Sequence, residues 1–572
     1  MLTADIAWFD MGLTGAQIIV KKLIEHNVGT VFEFPGGSIC PILDELYRVK
    51  KIKIFVTRHE QAAIHAADAY ARITKVPSVC MATSGPGASN LVTGIANAFM
   101  DSVPVVVITG QVAVWDLKKD RPLRQRGFQE LDIVSVAKSI TKAAFLVHRA
   151  SDLAECLDKA FFIAGEGRPG PVLVDVPINV QYTPSAVKYH RFNFKERKLT
   201  CNHSTIGEIA KRFSFSKRPL VLVGGGVGLS SATEELLFLL KNYRLPVIET
   251  LMGLTSVPCN YAFNLGLVGY AGSHISSNVL KQADFVLGLG LRFDNRAFPE
   301  GNKAFSGSCY IVHIDCDRNE FNHRILAQKT VLADVKWFLR ALLIELKKNR
   351  YIQKDAWFKG IRSWKDKFKP LCPRNKLTPQ FILERLSALL KNKNVIITTD
   401  VGQHQLWTAQ YFRFNKPDSL ITSGGLGTMG FGLPAAIGAC LARPRANVFN
   451  VTSDGSFQMN LQELATVRDN NLPVKIILLN NRCLGLVRQI QEFAFCARYV
   501  STRFNDNIDF VKIAKAYGIK AFSVDKSSEV ERALKAATTF KKSILIDFRI
   551  NEFENVYPVR IKGEVIYKSD RS

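Results

Sequence analysis

At 572 residues the chain exceeds what one hydrophobic core usually serves, so about two to four domains are expected. Its 47% hydrophobic and 22% charged residues are ordinary for a folded soluble protein. The net charge of +26 is large, but the lysines and arginines are spread along the chain, which argues against a nucleic-acid partner.

The start, Met1–Gly15, lacks the basic flank and apolar core of a secretory signal. From about Gly12 to Val180 strand–turn–helix units repeat. Strand Ile52–Val56 leads into Arg58-His59-Glu60-Gln61-Ala62-Ala63, which opens a helix through Arg72. A carboxylate there ordinarily satisfies the helix dipole. His59 and His65, six apart, do not share a face as an HExxH metal pair would. Strand Val79–Ala82 follows, then the turn Thr83-Ser84-Gly85-Pro86-Gly87, a helix through Met100 and a strand at Val103–Thr109.

A charged stretch, Tyr189–Thr200, leads into a second block, which opens with Pro219–Val223 before Gly224-Gly225-Gly226-Val227-Gly228 and closes near Leu346. That glycine run alone is weak evidence for dinucleotide binding. In the basic segment Lys347–Lys376, Trp357, Ile361, Trp364 and Phe368 fall at helical spacing. They predict a helix docked on a neighbouring domain rather than a base-stacking surface.

The third block runs from Leu377 to about Ile550. Its strands Val448–Thr452 and Val474–Leu479 lead into Asp454-Gly455 and Asn480-Asn481. Ligands of open α/β sheets bind beyond the carboxyl ends of strands, so Asp454 and Asn481 can offer a carboxylate and an amide oxygen together. Such oxygens suit magnesium. Gly455 and the small Ser456 let a diphosphate approach a helix start. Two unrelated turns are the plainer reading of either dipeptide alone.

The alternation throughout predicts α/β domains, each a doubly wound parallel sheet, over 1–185, 200–346 and 377–572, with 347–376 as linker. No apolar run is long enough to span a bilayer. The eleven cysteines are scattered without a CxxC pair, which points to a reducing compartment, the cytoplasm.

Asp454 and Asn481, 27 positions apart and each following a strand, together resemble the metal motif of thiamine-diphosphate enzymes. Ser423-Gly424-Gly425-Leu426-Gly427-Thr428-Met429-Gly430-Phe431-Gly432-Leu433-Pro434 is similar to the motif of acetohydroxyacid (acetolactate) synthases. Asp400-Val401-Gly402-Gln403-His404-Gln405, Pro35-Gly36-Gly37, Ser84-Gly85-Pro86-Gly87-Ala88-Ser89-Asn90 and Phe128-Gln129-Glu130 match further motifs of the large subunit of that family, in order along almost the whole chain.

The resemblance implies that Asp454, Asn481 and the main-chain carbonyl of Cys483 hold Mg2+. Gln403, His404, Gly455 and Ser456 would contact the diphosphate, while Gly427 and Met429 sit under the bent cofactor. Glu60 would hydrogen-bond N1′ of the aminopyrimidine; Pro35, Gly36 and Gly37 would face the cofactor, with Phe128 and Gln129 near the reacting centre. In the second block Gly269-Tyr270-Ala271-Gly272, Gly290-Leu291-Arg292-Phe293-Asp294-Asn295-Arg296 and His313-Ile314-Asp315 resemble FAD-binding segments, with Arg292 and Asp315 as contacts. Flavin-free catabolic relatives lack the Arg-Phe-Asp pattern.

The implied reaction decarboxylates pyruvate and transfers the two-carbon unit to a second 2-keto acid, as in branched-chain amino-acid biosynthesis. The family also implies a homodimer or homotetramer, in which Glu60 of one subunit meets Asp454 and Asn481 of another, with a possible regulatory small subunit. Three positions and one stretch depart from the pattern: Ser453 and Glu33 replace usual glycines, Ile490 stands where such enzymes usually have the Trp that favours 2-ketobutyrate, and the stretch between Gln111 and Phe128, with its basic insertion Lys118–Arg126, is longer and more basic than expected. A flavin-dependent acetyl transfer to a nucleotide-linked keto-sugar is the alternative that the basic insertion would suit. A nicotinamide dehydrogenase would rest on Gly224–Gly228 alone, and a non-catalytic protein would not need Glu60, Asp454 and Asn481 together.

Overall fold

The computed structural model describes residues 12–118, 122–185, 191–195, 198–351, 354–367, 375–504, 508–561 and 564–566. Three six-stranded parallel sheets follow one another along the chain. The first contains β1 (Thr30–Phe34), β2 (Lys53–Val56), β3 (Ser78–Ala82), β4 (Val105–Gln111), β5 (Ala143–Leu146) and β6 (Val172–Pro177), in the order β2-β1-β3-β4-β6-β5. The second contains β7 (Pro219–Val223), β8 (Val247–Glu249), β9 (Asn264–Leu267), β10 (Phe285–Leu289), β11 (Tyr310–Asp315) and β12 (Lys329–Leu332), ordered β12-β11-β10-β7-β8-β9. The third contains β13 (Val395–Thr399), β14 (Leu420–Thr422), β15 (Asn447–Ser453), β16 (Lys475–Asn480), β17 (Lys520–Val524) and β18 (Ile544–Arg549), ordered β14-β13-β15-β16-β18-β17.

The first and third sheets therefore share one strand order, a repeat that the sequence does not advertise. Strands such as β3, β4 and β10 are buried at every residue, because helices cover both faces of a parallel sheet and leave no polar side. Strand order reverses between β1 and β3, between β7 and β10, and between β13 and β15. Those reversals open the crevices in which such sheets take ligands.

The chain forms two compact units. One holds the first sheet together with Gly425–Pro444 and Asn460–Asn470; the other holds the second and third sheets. In the first unit the helix Gly432–Ala442 packs on the helix Glu60–Thr74. A Cβ on Gly438 would lie 2.0 Å from the Ala66 carbonyl oxygen, so only glycine permits this approach. Phe431 meets His65 edge-on with ring centroids 5.1 Å apart.

In the second unit the helix Asp355–Lys367 docks on the second sheet, burying Trp357, Phe358 and Ile361 against Leu220, Phe263 and Val286. Trp364 packs on the same cluster, and Phe368 lies outside the described residues. Leu254, Leu267 and Ala271 of the middle segment join the core of the third sheet. No helix among the described residues is long and apolar enough to cross a membrane.

Candidate active site

At the carboxyl ends of the third sheet, Asp454 follows β15 directly and begins the short helix Asp454–Phe457. Ser453, the departure before it, caps that helix by accepting from the Ser456 N–H. Asp454 is buried, its Oδ2 has no hydrogen-bond partner, and burial pushes its carboxyl up to about 7. The Asn481 amide, at the end of β16, lies 2.9 Å from the Cys483 carbonyl oxygen and 3.2 Å from Asp454 Oδ1. With its nitrogen on that side the amide donates to both. With its oxygen there, three oxygens converge, and a hard cation is what balances them.

Gln403 and His404 begin the helix after β13, across the order reversal from Asp454. Gln403 Nε2 donates to Gln489 Oε1 at 2.8 Å and to the Glu554 carbonyl at 3.1 Å, while its Oε1 faces Asn481 at 3.4 Å. A Cβ on Gly485 would stand 2.0 Å from Gln403 Oε1, so glycine there lets Gln403 and Asn481 meet. Neither ring nitrogen of buried His404 makes a hydrogen bond, Asp400 Oδ2 standing 3.8 Å from Nε2, and burial pulls the ring down to about 3, so it is neutral. Gly455 and Ser456 are buried at the helix start. Orphaned polar atoms in a dry site are costly, and this set has the donor chemistry that a metal-bound diphosphate takes.

In the first unit Glu60 opens its helix directly after the β2 loop, with His59 Nδ1 accepting from the Gln61 N–H. Its Oε2 accepts from Asn90 Nδ2 at 2.9 Å. The missing side chain of Gly87 leaves the other oxygen room, since a Cβ would lie 3.3 Å from it. The loops after β1 and β3 are pinned together where Ser38 Oγ meets Thr83 Oγ1 at 2.8 Å and accepts from the Ser84 N–H at 2.8 Å. Gly36 fits against Thr83, where a Cβ would come within 2.4 Å, whereas Pro35 and Gly37 are exposed.

Gln129 adjoins the same loop in a left-handed conformation (φ 64°) beside Gly85, and Phe128 is 86% exposed. Met429 is half-buried between Gly427 and Gly430, both at positive φ. The turn that holds it is tied to the first sheet's helices, with Gly425 N–H donating to Asp101 at 2.6 Å and Thr428 to Asn97 at 3.2 Å.

Comparison with known proteins assigns the three sheets to one family. Residues 13–136, 206–342 and 400–548 match the N-terminal TPP binding domain, the central domain and the C-terminal TPP binding domain of thiamine pyrophosphate enzymes. The chain is 39% identical over 547 residues to the acetolactate synthase isozyme 2 large subunit of Escherichia coli, covering 96% of this chain and 97% of that one. It is 38% identical to the acetolactate synthase large subunit of Buchnera aphidicola, over 96% and 97% of the two chains. It is 39% identical to a probable acetolactate synthase large subunit of Methanocaldococcus jannaschii, over 95% and 93%. The chain belongs to the acetolactate synthase large-subunit family. It is a thiamine-pyrophosphate-dependent carboligase, and neither the dehydrogenase reading nor the keto-sugar reading is favoured.

Within the family frame the second sheet has the strand order of a dinucleotide-binding fold. Gly224–Gly228 follow β7 and Gly290–Arg292 follow β10, one on each side of the reversal. The two loops touch: Gly226 N–H donates to the Gly290 carbonyl at 2.9 Å, and a Cβ on Gly224 would lie 2.1 Å from the same oxygen. Arg292 faces Asp294 at 3.4 Å, both partly exposed. Asp315 ends β11, with Oδ1 accepting from the Asp317 N–H.

The departures fall in separate places. Ile490 is half-buried on the helix Gly485–Ala494. Glu33 lies inside β1, beside Val56 and Met81, with Oε2 unpartnered; burial pushes its carboxyl to about 7. Glu130 fastens both ends of the basic insertion, accepting from the Lys118 and Arg126 N–H groups at 2.6 Å each. Lys119, Asp120 and Arg121 lie outside the described residues. Sequence reading did not single out Asn460, Glu463 or Gln489, because a buried amide or carboxyl inside a helical stretch carries no signal of what it will touch.

Proposed function

We propose that the chain condenses two 2-keto acids, taking pyruvate as donor and pyruvate or 2-ketobutyrate as acceptor. The observation that carries this is the convergence of Asp454, Asn481 and the Cys483 carbonyl, with Gln403 facing Asn481, in a chain that matches acetolactate synthases over nearly its full length. Asp454, Asn481 and the Cys483 carbonyl would hold Mg2+, and Gln403, His404, Gly455 and Ser456 the diphosphate. Glu60 would hold the N1′ proton while Gly427 and Met429 support the rings. Gly36, Gly37 and Pro35 would line the approach, with Phe128 and Gln129 beside the reacting carbonyls. When bound, thiamine diphosphate supplies the electron sink that makes loss of carbon dioxide feasible.

FAD would lie at the β7/β10 reversal against Arg292 and Asp315. The large-subunit relatives support a homo-oligomer with a regulatory small subunit, and the three sheets support domains at 1–185, 200–346 and 377–572. Ile490 offers no flat wall to rank an ethyl group above a methyl, and one methylene discriminates by only about 1–3 kcal/mol even in a good pocket. Competing pyruvate and 2-ketobutyrate in one vessel tests the reading. Acetolactate and acetohydroxybutyrate should form without a large excess of either; no condensation product with any 2-keto acid would overturn it.

A further inference from the structure

We propose that Asn460 is a positioning residue: its side-chain amide locks the helical turn that carries Glu60 to the turn that carries Met429, and Glu463 completes the lock. This rests on the roles proposed above for those two residues. Asn460 is buried, and both partners of its Nδ2 lie next to proposed cofactor residues. Nδ2 donates to the Gly430 carbonyl at 2.8 Å and to Gln61 Oε1 at 3.3 Å. Its Oδ1 accepts from Gln462 Nε2 at 3.0 Å, and the Gly430 carbonyl, which can only accept, fixes which end of the Asn460 amide points where.

Three positions further on, the fully buried Glu463 carboxylate accepts from the Arg58 N–H at 3.0 and 3.3 Å and from Thr466 Oγ1 at 2.6 Å. Residues 58 and 61 flank Glu60, so one short stretch of chain grips the carboxylate's turn from both sides. The Met429 turn is a segment on which such a tether acts. Gly427 and Gly430 both occupy the left-handed region (φ 80° and 82°), where glycine is soft, and Asp101 and Asn97 bond to Gly425 and Thr428 on the N-terminal side of Met429. Asn460 holds the turn's end. A packing asparagine would need one satisfied partner; here a single amide is spent on two segments, one of them 399 positions away.

The lock acts on geometry rather than on affinity. Asn460→Ala and Asn460→Asp both remove the donors, and the purified holoenzyme variants are compared with wild type in three measurements. These are thermal midpoint, thiamine diphosphate affinity in Mg2+ by intrinsic fluorescence, and C2-proton exchange of the bound cofactor by quench NMR. Affinity should stay within about threefold while exchange falls about 10- to 100-fold, the cost of a misplacement near 1 Å. Wild-type exchange in a folded, cofactor-binding Asn460 variant overturns the inference.

If neither variant folds, Gln61→Ala, which keeps the Gly430 bond, takes their place. Slower exchange at unchanged affinity supports the lock, and unchanged exchange overturns it. Glu60→Gln in the same assay separates the two levels. Wild-type exchange there overturns the assignment of Glu60 and the inference with it, whereas loss in Glu60→Gln with none in Asn460→Ala overturns the inference alone.

Discussion

At the proposed metal site, removing the Asp454 carboxylate would leave an amide oxygen and a main-chain carbonyl as the remaining protein ligands. Magnesium keeps its water unless anionic oxygens replace it. Asp454→Ala should therefore lose thiamine diphosphate on gel filtration in Mg2+, with the fold retained; a variant that still carries its cofactor and full activity contradicts the assignment. Glu33 makes a pH-dependent prediction. Its carboxyl is raised from 4.5 to about 7 by burial, so between those values the folded chain holds a proton that the unfolded chain has released. Stability then falls as pH rises through that window, by an amount of order 1–3 kcal/mol, and the loss is complete above it. Glu33→Gln should raise the melting temperature at pH 8 and leave it nearly unchanged at pH 4.5. Equal shifts at both pH values would contradict a titrating origin.

At the scale of elements, the helix pair Glu60–Thr74 and Gly432–Ala442 lets two opposed effects be weighed. Alanine for glycine inside a helix gains about 1 kcal/mol of propensity. At Gly438 the added Cβ would sit 2.0 Å from the Ala66 carbonyl, a backbone atom that cannot rotate away. Overpacking of that kind costs about 1–3 kcal/mol or more and wins. At Gly360, in the helix Asp355–Lys367, nothing lies within 4 Å of the new atom, and propensity wins. Urea denaturation should therefore show Gly438→Ala destabilised and Gly360→Ala stabilised; the same sign for both would mean that the helix contact is looser than the distances say. The partners of Gly432–Ala442 were illegible in the sequence, because Gly432–Cys440 is buried without a break and shows no preferred face.

For the whole molecule, the middle sheet adds support to the proposed FAD site that its glycines alone do not give. A Gly-rich run after one strand is common, but here two glycine loops flank the reversal of a dinucleotide-type sheet and bond to each other. The purified protein should be yellow, and heat-released supernatant should show the FAD spectrum in roughly one-to-one ratio with chains when the site is saturated. Absence of flavin after reconstitution would move the chain to a flavin-free branch and leave Arg292 as a partner of Asp294 only. The shared strand order of the first and third sheets puts the two proposed cofactor grips, Glu60 and Asp454, on equivalent scaffolds, each at a helix start beyond the carboxyl end of a strand.

The sequence by itself determined the three α/β blocks, the strands β2, β3, β4, β7, β15 and β16, and the strand ends and turns that carry Glu60, Gln403, Met429, Asp454 and Asn481. These are signals of local chemistry: all-apolar runs end in glycine-rich turns, and the side chains that matter sit at the junctions. Tertiary structure alone decided which loops face one another. The bond of Gln403 to Gln489, the docking of Gly425 and Thr428 on Asp101 and Asn97, and the reach of Asn460 back to Gln61 all depend on strand order and close helix approach. Neither leaves a periodic trace along the chain. A hydrogen bond between residues 399 positions apart exists only because the fold brings two buried polar groups to one place, where each must find a partner or remain costly.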